Sequence, residues 1–244
     1  MKSGEPKREG LILLAILGAG LLVRVLATAL AYTPTIDTGT VGLMACHILE
    51  GARPLYFYGQ GYMGALEAYV AAGLAALLGP SPIAVNLAPT LFALGWAAAA
   101  WAIVRSLYGA GSGLAAAALL AIPPWHILWY SMASYGGYPE AWAFGLCAIV
   151  AALHVVRNPV ATPGGYVVLG LCTGLGFWVN PQSLMYAGVA WATVGLHVGL
   201  RDRRALPWLV VAAACAIVFL LPALADAGNT GNDKLVSWSL RPSD

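Results

Sequence analysis

The chain has 244 residues, of which 60% are hydrophobic and only 9% are charged, and its mean hydropathy is +0.78. A soluble globular domain has about 25% charged residues, so this composition is too poor in charge to cover a surface that faces water. The net charge of +2 and the four cysteines, none in a CxxC spacing, argue against nucleic-acid binding, disorder and a secreted disulfide scaffold. The sequence therefore predicts an all-α polytopic membrane helix bundle.

Apolar stretches that are long enough to cross a bilayer follow one another along the chain, because a spanning helix needs about 20 mostly apolar residues. The first stretch, residues 11–31, is too long for a signal-peptide core and has no small-residue cleavage site, so we interpret it as a span. Residues 63–79 are a doubtful span, because they are short and carry Glu67 in the first turn. The other candidates are residues 83–104, 114–133, 139–156, 164–179, 184–200 and 205–224.

The distribution of lysine and arginine decides between seven and eight spans, because these residues stay on the cytoplasmic side in short loops. Seven spans with a cytoplasmic N-terminus place eight of these residues inside and three outside, whereas eight spans place five inside and six outside. We therefore predict about seven spans in one integral membrane domain, residues 1–244, of a prokaryotic plasma membrane protein. Residues 32–82 form an outer-face loop with two juxtamembrane helices, and residues 226–244 form an outer-face tail, the start of a longer region that has been lost.

The first outer loop carries an acid directly beyond the first span. Asp37 is followed by apolar residues at helical spacing, which predict an amphipathic helix lying on the membrane, and Gly51 suits the position that closes such a helix. The aromatic residues behind it are expected at the depth of the lipid headgroups. Capping of the helix by Asp37, or by Thr38, is the alternative explanation for these polar residues.

A second outer loop, WYSMASYGGYPEAW, carries another acid. Its two glycines and Pro139 predict a tight turn, which presents Glu140 in the first turn of the next helix. A carboxylate there also suits the helix dipole, which is the alternative explanation. Because two loops far apart in sequence bring acids to one face of the membrane, we predict a site of paired carboxylates.

Two further features lie inside predicted spans. Arg24, in the first span, is either a functional residue or a cation that snorkels toward an interface, and both interpretations stay open. Pro123 and Pro124 predict a kink or an unwound segment in the third span, near the outer face.

The order of these elements resembles the membrane glycosyltransferases of the C superfamily, relatives of protein O-mannosyltransferases and lipid A aminoarabinose transferases (family 39-like). The matching segments are the acid-bearing TPTIDTGTVGLMACHILEG, the aromatic run PLYFYGQGYMGALEAY, then GPSPIAVNLAPTLFALG and SYGGYPE, over residues 10–160. The resemblance implies the conserved amino-terminal module of an enzyme that uses a polyprenyl-phosphate sugar, with its active site on the outer face.

The resemblance also implies roles for single residues. Asp37 matches the family's catalytic acid, a general base toward the acceptor, and Glu140 matches its second outer-loop acid, a further catalytic residue that helps shape the site. Glu67, or the polar Gln60, stands where relatives place a further polar or metal-binding group. The implied cofactor is a divalent cation, Mg²⁺ or Mn²⁺, held by Glu67 and Glu140. The residues implied in substrate binding are Glu67, Arg53, His47, Gln60, Tyr62 and Tyr138.

The sequence departs from the family pattern at two points. Thr38 follows Asp37, where many relatives carry an Asp-Glu pair. Some relatives use a lysine near the donor phosphate, but no lysine occurs between Lys7 and Lys234. Arg53, His47, His126 or a divalent cation would take that role.

The predicted function is the transfer of a sugar from a polyprenyl-phosphate donor to an acceptor at the outer face of the membrane. The expected partners are the lipid-linked donor, membrane lipid, and a protein partner or a missing carboxy-terminal half. Two alternatives stay open. One is a non-catalytic assembly subunit, and the other is a small transporter or flippase component, for which intramembrane charges and broken helices in two related halves are expected.

Overall fold

The computed structural model describes residues 5–31, 33–157 and 163–226. The predicted tail lies outside the described residues from position 227 onward. The described part is mostly helical, as predicted, with two 3₁₀ turns at Pro181–Ser183 and Arg203–Ala205. Its other elements are α1 (Glu5–Ala31), α2 (Ile36–Leu49), β1 (Tyr56–Phe57), β2 (Gln60–Gly64), α3 (Leu66–Leu78), α4 (Pro82–Tyr108), α5 (Ala110–Ala121), α6 (Trp125–Met132), α7 (Tyr138–Arg157), α8 (Pro163–Val179), α9 (Leu184–Arg201) and α10 (Leu206–Asp226).

Four of the described helical segments are long and apolar enough to cross a membrane, and they contain α1, α4, α7 and α9. A fifth candidate is the pair α5 and α6, which are bent by 71° against each other. The structure thus confirms an all-α membrane protein with four or five candidate spans, but it does not confirm seven. Helix α8 has 17 residues, which is about 26 Å of helix and less than the roughly 30 Å of a bilayer core.

The predicted outer-face loop holds the two expected short helices, α2 and α3, together with a hairpin that the sequence did not predict. Strands β1 and β2 pair antiparallel, and Gly59 between them has a φ of +80°. Gly51, with a φ of +104°, follows the end of α2 as predicted. The cap of α2 is Thr35, whose side chain accepts a hydrogen bond from the Thr38 amide, so the predicted cap at Asp37 or Thr38 is wrong.

Charged side chains lie at both ends of the bundle, because α7 carries Glu140 in its first turn and Arg157 in its last turn. The acidic end, as we call it, gathers Asp37, Glu67 and Glu140 at the starts of α2, α3 and α7. At the other end Arg105 pairs with Glu9 at 2.6 Å, and Arg157 donates to the Ser106 carbonyl.

Arg24 is fully buried and holds the broken span together. Its Nε donates to Ser131 Oγ at 3.0 Å in α6, and its Nη1 donates to the Ala121 carbonyl at the end of α5 and to the Gly20 carbonyl. The break follows from Pro123 and Pro124, as predicted, because proline cannot continue the helical hydrogen-bond ladder. The break leaves carbonyl groups at the end of α5 without donors in the same helix. The Arg24 guanidinium donates hydrogen bonds to them instead. Arg24 therefore does not snorkel to an interface.

We expect Arg24→Leu to lower the stability of the protein in detergent by about 2 kcal/mol or more, because buried carbonyls lose their donors. Arg24→Lys, which keeps the charge but not the planar fork, should lose less. Thermal unfolding followed by size-exclusion chromatography measures this, with the exposed Arg201→Leu as control. Equal unfolding temperatures for Arg24→Leu and the wild type would contradict the assignment.

Candidate functional site: buried carboxylates at the acidic end

A glycine pair shapes the turn between α6 and α7. Gly136 and Gly137 have φ values of +80° and +99°, which favour glycine. A Cβ on Gly136 would lie 2.5 Å from Met63 Cε, and one on Gly137 would lie 2.7 Å from Val179 Cγ1. The turn predicted from SYGGYPE is thus present, and it is packed between the hairpin and the end of α8.

Glu67 binds this turn through backbone hydrogen bonds. Its Oε2 atom accepts from the Gly136 amide at 3.0 Å and from the Gly137 amide at 2.8 Å. Hydrogen bonds to an ionised acceptor are stronger than those between neutral groups. The side chain is 1% exposed, and it connects the start of α3 to a turn about 70 positions later in the chain.

Glu140 is completely buried in the first turn of α7 and lies within electrostatic reach of Glu67. Neither of its carboxylate oxygens accepts a hydrogen bond from another described residue, and the same holds for Glu67 Oε1. Two carboxylates close together in a buried site repel each other unless a proton or a cation intervenes. The structure therefore brings the second outer-loop acid and Glu67 into one buried site.

The ionisation of Glu67 is set by its surroundings. The pKa of Glu67 is raised from 4.5 to about 7, mainly by burial and to a smaller extent by the charge of Asp37. The Ser134 hydroxyl and the Gly137 and Gly136 amides act in the opposite direction. Asp37 therefore lies close enough to Glu67 to influence its charge, and the three acids form one electrostatic group.

Asp37 is the half-exposed member of the group. It lies in the first turn of α2, where the neighbouring Thr38 hydroxyl donates to the Ser134 carbonyl at 3.2 Å. The Ser134 amide in turn donates to Asn86 Oδ1 of α4 at 3.2 Å. Asn86 and Ser134 were not predicted as site residues, although an amide side chain in the apolar run IAVNLAPT was a signal for Asn86.

Two of the tyrosines predicted at the substrate also lie here. Tyr138, at the start of α7, interacts electrostatically with both Asp37 and Tyr62. Tyr62 is 60% exposed on β2. Tyr138 is therefore within electrostatic range of Asp37, and Tyr62 is within range of Tyr138.

The remaining predicted substrate residues contact other groups. His47 Nδ1 and the Tyr58 hydroxyl share a hydrogen bond of 3.1 Å, and the exposed Arg53 donates to the Ala52 carbonyl. Gln60 pairs with Phe57 in the hairpin. Among the described residues, no hydrogen bond or ion pair joins Arg53 or Gln60 to the three acids.

The free oxygens of Glu67 and Glu140 are the atoms that a cation would use. Mg²⁺ is commonly held by one or two carboxylates together with waters and substrate phosphates. The three carboxylate oxygens without hydrogen-bond partners fit such a site. No group of three or more His, Cys, Asp or Glu side chains suited to a metal occurs in the described part of the chain, so water and phosphate would supply the other ligands.

Comparisons with family models, with curated proteins and with solved structures found no match to this chain.

We expect the wild-type protein to lose stability between pH 5 and pH 8. The folded state keeps the Glu67 proton up to a pH of about 7, whereas the unfolded chain releases it near 4.5, so raising the pH favours unfolding. The loss of this proton lowers the free energy of unfolding. The unfolding temperature should fall by about 5–10 °C, because each 1 kcal/mol of lost stability lowers it by about 2–4 °C in a chain of this size. Thermal unfolding in detergent with a chelator measures the change.

Glu67→Gln should flatten this pH dependence, because glutamine does not titrate. Glu50→Gln, at an exposed acid of the same loop, is the matched control and should keep the wild-type slope. Parallel pH profiles for Glu67→Gln and the wild type would show that the Glu67 proton does not contribute.

Proposed function

We propose that the chain is a membrane glycosyltransferase, or its catalytic amino-terminal half, which moves a sugar from a polyprenyl-phosphate donor to an acceptor at the outer face of a prokaryotic plasma membrane. The observation that carries the proposal is the convergence of acids from three separate segments at one end of the helix bundle. Asp37 is half-exposed there, whereas Glu67 and Glu140 lie buried behind it. This agrees with the roles that the resemblance implies for Asp37 and the loop acids.

The chemistry requires a base on the accessible side of the site. As the acceptor oxygen or nitrogen bonds to the anomeric carbon, its proton passes to the Asp37 carboxylate, and the bond between the anomeric carbon and the phosphate oxygen breaks. The lipid phosphate leaves with the bonding electrons. It is already a good leaving group, so positive charge or hydrogen-bond donors replace a general acid. A lipid donor suits this position, because its tail can stay in the bilayer while its headgroup meets Asp37.

The buried acids, Glu67 and Glu140, would act indirectly, by holding a cation. A divalent cation at Glu67 and Glu140 would supply positive charge for the departing phosphate. The buried position of Glu140 differs from the exposed loop acid that the sequence suggested, so we assign it an electrostatic or metal-binding role rather than contact with the acceptor.

A transporter is the second candidate, because the break between α5 and α6 and the buried Arg24 are features typical of transport proteins. However, the Arg24 guanidinium donates to carbonyls of both α1 and α5 and to Ser131. These hydrogen bonds use donors of the Arg24 guanidinium within the protein, which favours a structural role for this residue. The acids, moreover, gather at the end of the bundle and not near its middle.

Removal of the base tests the proposal. Protein in lipid nanodiscs is incubated with polyprenyl-phosphate sugars, and the released lipid phosphate is measured. Asp37→Asn should reduce release by about 10²–10⁴-fold, the range for loss of a general base. Glu50→Gln, another acid of the same loop, should stay near the wild type.

Equal release by Asp37→Asn and the wild type would refute the role of Asp37. Release by neither protein would instead favour a non-catalytic assembly subunit.

A further inference from the structure

A chain of aromatic rings leads from the surface of α6 to Asp37. The Trp125 and Trp129 rings lie 5.6 Å apart between centroids, and Trp129 Nε1 donates to the Tyr135 hydroxyl. Tyr135 contacts Tyr130 at 5.1 Å, and Tyr130 contacts Tyr138 at 5.6 Å. His126 packs edge-on against Tyr130 at 5.2 Å. We call the set the aromatic ladder: Trp125, His126, Trp129, Tyr130, Tyr135 and Tyr138.

The far end of the ladder is open. Trp125 is 59% exposed, His126 is exposed and Trp129 is half-buried. These three side chains line a shallow cavity of about 270 Å³ that is open at the surface. The near end is Tyr138, which interacts with the Asp37 carboxylate. The ladder thus joins an accessible aromatic cavity to the proposed base.

We propose that the cavity of Trp125, His126 and Trp129 is a binding subsite for a pyranose ring of the acceptor. The choice of a sugar rests on the proposed function. The C–H groups on one face of a pyranose carry partial positive charge and pack on the negative face of an aromatic ring. The hydroxyl groups at the ring edge need hydrogen-bond partners, which the His126 imidazole supplies beside the tryptophans.

Two features distinguish this site from aromatic residues that only anchor a protein at the headgroups. An anchoring ring needs no contact with its neighbours, whereas these rings touch in series as far as the acidic end. Histidine, too, is not a typical belt residue, since such belts consist of tryptophan and tyrosine. The acceptor is the occupant we choose, because the donor's sugar is fixed to a lipid phosphate at the carboxylates, at the other end of the ladder.

The test is saturation-transfer NMR on the full chain in a polyoxyethylene detergent, which has no sugar headgroup. Methyl α-D-mannopyranoside, methyl β-D-glucopyranoside and methyl β-D-galactopyranoside are the probes, and glycerol is the control without a ring. Irradiation of the aromatic protons should transfer saturation to the ring C–H protons of at least one pyranoside and not to glycerol. Trp125→Leu and Trp129→Leu, which stay apolar but lose the flat ring, should reduce the transfer at least threefold.

The matched control is Trp101→Leu, because Trp101 lies at the opposite end of the bundle beside Arg105, and it should leave the transfer unchanged. No transfer to any pyranoside, or equal transfer in Trp125→Leu, Trp129→Leu and the wild type, would overturn the subsite and leave the tryptophans as membrane anchors only. Asp37→Asn separates this result from the proposed function, because it should reduce turnover by about 10²–10⁴-fold and keep the saturation transfer. Transfer that depends on Trp125, combined with full turnover by Asp37→Asn, would retain the subsite and reject the mechanism.

Discussion

The buried hydrogen bonds from the Gly136 and Gly137 amides to Glu67 are the contact on which the acidic end depends. A carboxylate inside a protein requires donors or positive charge, and two adjacent amides supply part of that requirement. Both positions require glycine, because the backbone there is in the left-handed region and the surrounding side chains leave no room for a Cβ. The turn therefore fixes the start of α3 against the start of α7.

The same turn region also positions Asp37. Thr38, next to Asp37, donates to the carbonyl of Ser134, and Asn86 accepts from the Ser134 amide. Helices α2, α3, α4 and α7 thus meet around five successive residues of one loop. Arg24 donates hydrogen bonds to both halves of the preceding broken span, α5 and α6. The start of the loop is therefore held in place. The proposed sugar transfer is supported by the half-exposed Asp37, the buried Glu67 and Glu140, and the aromatic ladder that ends at Tyr138.

The sequence predicted the coarse features because they follow from short-range patterns. Hydropathy indicated the helices, Pro123 and Pro124 indicated the break, and SYGGYPE indicated the turn. The β-hairpin was missed because its strands are very short and its aromatic residues also suit a headgroup region. The burial of Glu140 and the contacts of Arg24 were not predictable, because they depend on which distant segments pack together. Seven spans are not confirmed, because α8 has 17 residues and is shorter than a typical bilayer core.

A double-mutant cycle on Glu67→Gln and Glu140→Gln tests the convergence of acids most directly. Free energies of unfolding are measured in detergent at pH 8 with a chelator, for both single variants and the double variant. Because each substitution alone relieves the repulsion between two buried carboxylates, the second should add less than it does alone, with a coupling energy of about 1 kcal/mol or more. Effects that add within about 0.5 kcal/mol would contradict a shared site.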